Sequence, residues 1–92
     1  MIESFAHRGL KRLYESDDGR KLPADMLARI RVILADLDDA ADVADLNRPS
    51  YRLHKLKGDR QGYWSITVRA NWRIVFRFVD GNALDVDFVD YH

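Results

Sequence analysis

Residues 63–79 read YWSITVRANWRIVFRFV, and their alternation decides the fold. Trp64, Ile66 and Val68 fall on one side of an extended chain, with Ser65, Thr67 and Arg69 on the other. Trp72, Ile74, Phe76 and Phe78 then oppose Arg73, Val75, Arg77 and Val79. A period of two over both runs predicts two strands with an apolar face and a basic face. Ala70-Asn71 between them marks the tip of a tight hairpin.

The same signals extend in both directions. Asp80-Gly81-Asn82 is a second hairpin tip before ALDVDFVDYH, whose Leu84, Val86 and Phe88 are expected on the core face. Upstream, YRLHKL alternates, and Gly58 and Gly62 flank the connection that follows. The first half carries helical spacing instead. MIESF contains Ile2 and Phe5 and suits an edge strand; Leu10, Leu13 and Tyr14 give a brief helix. SDDGRK is a polar turn, and Pro23 suits the first turn of a second helix. Leu27, Ile30, Ile33, Leu34 and Leu37 form its single apolar stripe, which ends near Asp38-Asp39. AADVADLNRPS adds a short helical turn that Pro49 closes. The expectation is an α+β fold, N-terminal helices packed on a mostly antiparallel sheet, in a single domain spanning 1–92.

Ninety-two residues cannot divide their apolar content between two cores. There is no cysteine, hence neither a disulfide framework nor a thiolate metal site. No apolar run is long enough for a membrane span, and MIESFAHRGLKRL lacks the apolar core of a secretory signal, so a cytoplasmic setting is expected. The zero net charge hides segregation. Residues 48–77 hold eight Lys/Arg against the single acid Asp59, whereas residues 1–47 hold seven against ten Asp/Glu and residues 78–92 hold four Asp and no Lys/Arg. A basic block of this kind suits a polyanion, although a solvated face accounts for the same charges.

Alternation puts His54 opposite Leu53, on the face that carries Arg69, Arg73 or Arg77. In the last strand it puts Asp90 and His92 on the apolar side with Tyr91 opposite, so a site shared by all three requires a bend after Val89. Imidazoles, a carboxylate, a phenol and surrounding cations are the parts for metal-independent RNA transesterification. A base takes the 2′-OH proton, an acid protonates the leaving 5′-oxygen, and cations stabilise the phosphate charge. The same side chains also serve as ordinary surface and packing residues. A metal held by His54, Asp90 and His92 is disfavoured by the neighbouring positive charge. No phosphate-loop or dinucleotide fingerprint is present, and no cofactor is called for.

The strings LHKLKGDRQGYWSITVRANWRIVFRF (53–78) and VDYH (89–92) resemble the HigB toxins of the RelE/ParE toxin–antitoxin superfamily, and the resemblance runs the full length from IESFAHRGLKRLYE onward. It implies a compact α+β ribonuclease fold and ribosome-dependent cleavage of mRNA that halts translation. It further implies catalytic roles for His54, Asp90, Tyr91 and His92, phosphate contacts at Lys57 and Arg73, and Asn71 as a base reader. Arg60 and Arg69 are expected to hold further RNA phosphates. The implied partners are a cognate helix-turn-helix antitoxin of the HigA kind, the ribosome and mRNA. The alternative is a ParE-like toxin that inhibits DNA gyrase without cleaving nucleic acid, and a blander one is a toxin that only binds its antitoxin. ESDDGRKLPAD (15–25) matches no motif and is assigned no function.

Overall fold

A computed structural model describes residues 1–91; His92 lies outside the described residues. The helical half contributes α1 (Arg8–Ser16) and α2 (Leu27–Asp39), and the strands are β1 (His54–Lys55), β2 (Trp64–Arg69), β3 (Trp72–Val79) and β4 (Asn82–Asp90). They form one antiparallel sheet in the order β1-β2-β3-β4. This bears out the α+β reading.

The stripe of α2 packs into the core against the sheet. Ile30, Ile33 and Leu37 are fully buried against Ile66, Ile74, Phe76 and Val86 from the sheet and Leu10 from α1. Truncating any one of the α2 isoleucines or Leu37 to alanine removes roughly 2–5 kcal/mol. α1 starts where the His7 imidazole accepts the N–H groups of Gly9 (3.0 Å) and Leu10 (3.2 Å), an N-cap contact. It ends on Asp17, whose left-handed φ of 53° lets its N–H close on the last carbonyls.

Four local expectations are corrected. Pro23 precedes a 3-10 turn, Ala24–Met26, and α2 begins only after it. Pro49 opens a third such turn, Pro49–Tyr51, rather than closing the preceding Val43–Leu46 one, because proline at a first helical position loses no hydrogen bond. MIESF does not become a regular strand; Ile2 and Phe5 make two isolated parallel bridges to Ala83 and Val86 on the free edge of β4. Finally, Leu84 does not share the core face with Val86 and Phe88. Asp85 adopts φ 53° where the β3–β4 register shifts between Val75 and Arg77, a bulge that adds one residue to β4. Ala83 therefore faces inward before the bulge, and Val86 and Phe88 after it. Ser4 supports this kink, its hydroxyl accepting the Asp85 N–H at 2.8 Å, and Arg77 donates to the Asp85 carboxylate at 2.9 Å.

Asp38, at the end of α2, ties three segments together. Its Oδ1 accepts the Tyr14 hydroxyl at 2.6 Å and the Ile2 N–H at 3.0 Å. The Tyr14 hydrogen bond, then that of Ile2, holds the carboxyl below the ordinary carboxylate value. A depressed folded value means the stabilisation is complete above the unfolded value of about 4 and is lost as pH falls through the folded one. Asp38→Asn is expected to lower the melting temperature at pH 7, by an amount equivalent to roughly 1–2 kcal/mol. Thermal melts between pH 7 and 3 should show the gap to the unaltered protein closing at the acid end; a gap independent of pH refutes the assignment.

Candidate active site

The sheet face away from the core is not an open basic surface. Ser65 and Val75 are buried on it, and Leu56, at 4% exposed, is buried there as well. Around this floor lies a cleft of about 260 Å³. Its first wall is the extended chain entering β1, where alternation brings Arg52, His54 and Leu56 to the same side. The second is the middle of the sheet. His54 pairs with Ser65, and Thr67 pairs with Arg73, so all four side chains project to this face. The third wall is Tyr91, the residue after β4, held by its N–H donating to the Asn71 carbonyl at 2.8 Å.

Beyond Leu56 a second depression of about 450 Å³ is lined by Lys55, Lys57 and Gln61, with Leu56 common to both. Lys55 Nζ lies 5.7 Å from the Trp64 ring centre, a cation–π distance. Arg73 donates to the Trp72 carbonyl at 3.2 Å and to that of Ala70, which tethers its guanidinium to the hairpin. Arg52 and His54 make no side-chain hydrogen bond or ion pair among the described residues, and both are exposed to whatever enters the cleft.

Of the residues singled out from the sequence, His54, Arg73 and Tyr91 meet in the cleft and Lys57 lies in the adjoining depression. Arg60 is half-buried in the 3-10 turn Gly58–Arg60. Asn71 is at the hairpin tip and serves Tyr91 through its main chain. Arg69 is turned elsewhere, ion-paired with Asp25 beside α2. Asp90 pairs in register with Trp72, which stacks on Phe88 at 4.7 Å, so β4 runs straight through Asp90 without the bend a shared site would require. Tyr91 alone of the described C-terminal residues lines the cleft; His92 falls outside the described residues. Arg52 was missed, although it belongs to the basic block and stands two residues before His54, the spacing that puts strand neighbours on one face.

The cleft thus offers an imidazole and a phenol for proton transfer and two guanidiniums for an anion, over a polar floor. Among the described residues no three His, Asp or Glu side chains group to hold a metal ion.

An antiparallel meander backed by two helices is also the fold of a solved toxin–antitoxin protein, and the sequence points the same way. A family model described as the RelE-like toxin of the type II toxin–antitoxin system HigB matches residues 3–92. The chain belongs to that family. It is 52% identical over 92 residues to "Endoribonuclease HigB" of Proteus vulgaris, covering all of both chains. It is 33% identical to "Toxin HigB-1" of Vibrio cholerae serotype O1, over all of this chain and 98% of that one. Among solved structures, a mutant of YafQ from E. coli superposes with a TM-score of 0.64 at 14% identity over 98% of this chain and 93% of that one. YoeB in the heterotetrameric YoeB–YefM toxin–antitoxin complex from Staphylococcus aureus gives 0.61 at 19% identity, over 100% and 98%. These two likenesses are of fold.

The division between Arg73 and Arg69 is testable by fluorescence anisotropy with a short single-stranded oligonucleotide. Arg73→Ala is expected to weaken binding about tenfold, a charge-assisted contact of roughly 1.4 kcal/mol. Arg69→Ala, whose ion pair with Asp25 is more than half exposed on both sides, should leave affinity within about twofold and cost under about 1 kcal/mol of stability. Equal losses for the two refute the placement.

Proposed function

We propose that the protein is an endoribonuclease that acts on mRNA in the decoding site of the ribosome and so halts translation. The observation that carries this reading is the cleft itself, which His54, Tyr91 and Arg73 line together with Ser65 and Thr67. The endoribonuclease name of the relative at 52% identity supports it. In the proposed reaction a base takes the proton of the ribose 2′-OH, whose oxygen attacks the adjacent phosphorus. The phosphorus–5′-oxygen bond breaks, and the leaving oxygen receives a proton from an acid. The product is a cyclic phosphate and a free 5′-hydroxyl. His54 supplies one of the two proton carriers, and the chain end, Asp90-Tyr91-His92, supplies the other. Arg73 compensates the charge that develops on the phosphate, and Lys57 holds the neighbouring one. Asn71, at the hairpin tip, reads a base, while Arg60 adds a backbone phosphate contact.

A cognate antitoxin completes the proposal. The family is defined as one half of a toxin–antitoxin pair, and YoeB is solved with YefM. The partner here would be a helix-turn-helix protein of the HigA kind, which neutralises the toxin by association, in the cytoplasm where ribosomes are found. No helix among the described residues is long and apolar enough to cross a membrane.

The decisive experiment supplies purified protein to ribosomes programmed with a defined mRNA and maps 5′ ends. Cleavage within the decoding site is expected, with His54→Ala and Tyr91→Phe each slowing it by about a hundredfold, the usual range for losing a general acid or base. Asp90→Ala and His92→Ala are expected to slow it by at least about tenfold. Uncut mRNA, with gyrase-trapped DNA breaks accumulating on expression, would establish the gyrase reading instead.

A further inference from the structure

The sharpest unexplained feature behind the cleft is Arg29 of α2. Its guanidinium crosses to the sheet and donates to the Ser50 carbonyl at 2.7 Å, the Ser50 hydroxyl at 3.3 Å and the Thr67 carbonyl at 2.9 Å. Its Nε is buried with no partner among the described residues. A cation in that position loses solvation and leaves a donor unmet, which a packing role alone would not require.

The reason lies in the shortness of β1. Only His54 and Lys55 of β1 pair with β2, through Ser65 and Trp64, so on that edge β2 has no strand beside it at Thr67. The chain there is the 3-10 turn Pro49–Tyr51, which offers no ladder hydrogen bond to the Thr67 carbonyl. Arg29 fills the gap with one side chain, bonding the turn on one side and the strand edge on the other. Tyr51 reinforces the junction. It is 1% exposed, its ring lies 5.1 Å from the Arg29 guanidinium, and its hydroxyl donates to Asp36, which Arg48 also approaches at 3.4 Å. Burial and then the Asp36 hydrogen bond push the Tyr51 hydroxyl up to about 12, so it remains a donor.

The next residue is Arg52. Its φ of 47° puts a non-glycine residue in the left-handed region, which the turn must hold against its own preference. That kink ends the turn and starts the extended run that lines the cleft. Arg52 lines the same cleft as Arg73 and has no partner among the described residues, and Arg73 is tethered to main-chain carbonyls.

We propose that Arg52 is a second contact to the substrate phosphate, and that Arg29, clamping the Pro49–Tyr51 turn to β2, is the residue that positions it. This deepens the ribonuclease reading and rests on it. Arg52 touches substrate; Arg29 is a positioning residue that acts only through the turn.

The test is a double-mutant cycle in the programmed-ribosome cleavage assay, with turnover and half-saturation measured separately. Arg52→Ala is expected to lower turnover about tenfold or more, with half-saturation changed less than about threefold, because the contact strengthens as phosphate charge develops. Arg29→Met should show the same split, and Arg29→Met with Arg52→Ala should be no worse than Arg52→Ala alone, within about twofold. Tyr51→Phe, which deletes one hydroxyl, serves if Arg29→Met fails to fold; it should give the same non-additive pattern with a smaller loss. Asp38→Asn, a destabilised control remote from the cleft, should keep full turnover. Multiplicative losses in the cycle, or an Arg52→Ala protein within twofold of the original, overturn the proposal while His54→Ala still slows cleavage about a hundredfold. If the unaltered protein leaves the mRNA uncut, the ribonuclease reading itself fails.

Discussion

The structure depends on β3 being paired along both edges, with β2 on one side and β4 on the other. A central strand cannot slip by one residue without exchanging its faces, because its alternation is read by two neighbours at once. Ile74 and Phe76 are fully buried under α2, so Arg73 and Arg77 are committed to the far side. Everything that could serve a polyanion follows from that commitment. Thr67 joins Arg73 by register, and Ser65 joins His54 by the same rule one strand further on.

β4 meets this constraint at the Asp85 bulge. Without the extra residue, the parity that faces Ala83 inward would turn Val86 and Phe88 outward. The bulge restores them to the core and sets the phase of the whole C-terminal segment. Asp90 then follows Phe88 to the Trp72 side, and Tyr91 emerges beside Arg73. The phenol reaches the cleft because of a kink six residues upstream.

This explains what the sequence made legible. The alternation in β3, the two hairpin tips and the α2 stripe are local patterns with a fixed period, and each is found as read; β2 keeps its alternation only as far as Thr67, where a register shift brings Arg69 opposite Trp72. A bulge has no such signature. Asp85 sits in ALDVDF without a glycine to announce its left-handed backbone, and only the pairing with β3 and the contacts from Ser4 and Arg77 make that conformation tenable. Leu84, before the bulge, was misplaced for that reason, while Asp90 keeps the phase of Val86 and Phe88 because all three lie beyond it. Arg69 could be assigned to the basic block but not to Asp25, a partner 44 residues away whose position depends on how the 3-10 turn before α2 packs. The role of Arg29 was equally hidden, since nothing in a helix sequence shows that the strand beside it will stop two residues long.

Charge neutrality and a cationic cleft are reconciled by where the acids go. Among the described residues, Arg69 pairs with Asp25, Arg77 with Asp85, Arg48 with Asp36, Arg31 with Asp17, and both Arg12 and Arg20 with Asp18. Every one of these cations lies outside the two depressions. Arg52, Lys55, Lys57 and Arg73, which line them, have no carboxylate partner among the described residues. Net charge sets the long-range field, which falls off within about 8–10 Å at physiological salt, whereas capture of a phosphate is decided inside that distance by unpaired cations. A neutral chain of this design avoids the indiscriminate attraction of a basic one while its unpaired cations line the two depressions. Pairing carboxylates with the peripheral arginines leaves the cations that line the two depressions available to an anion.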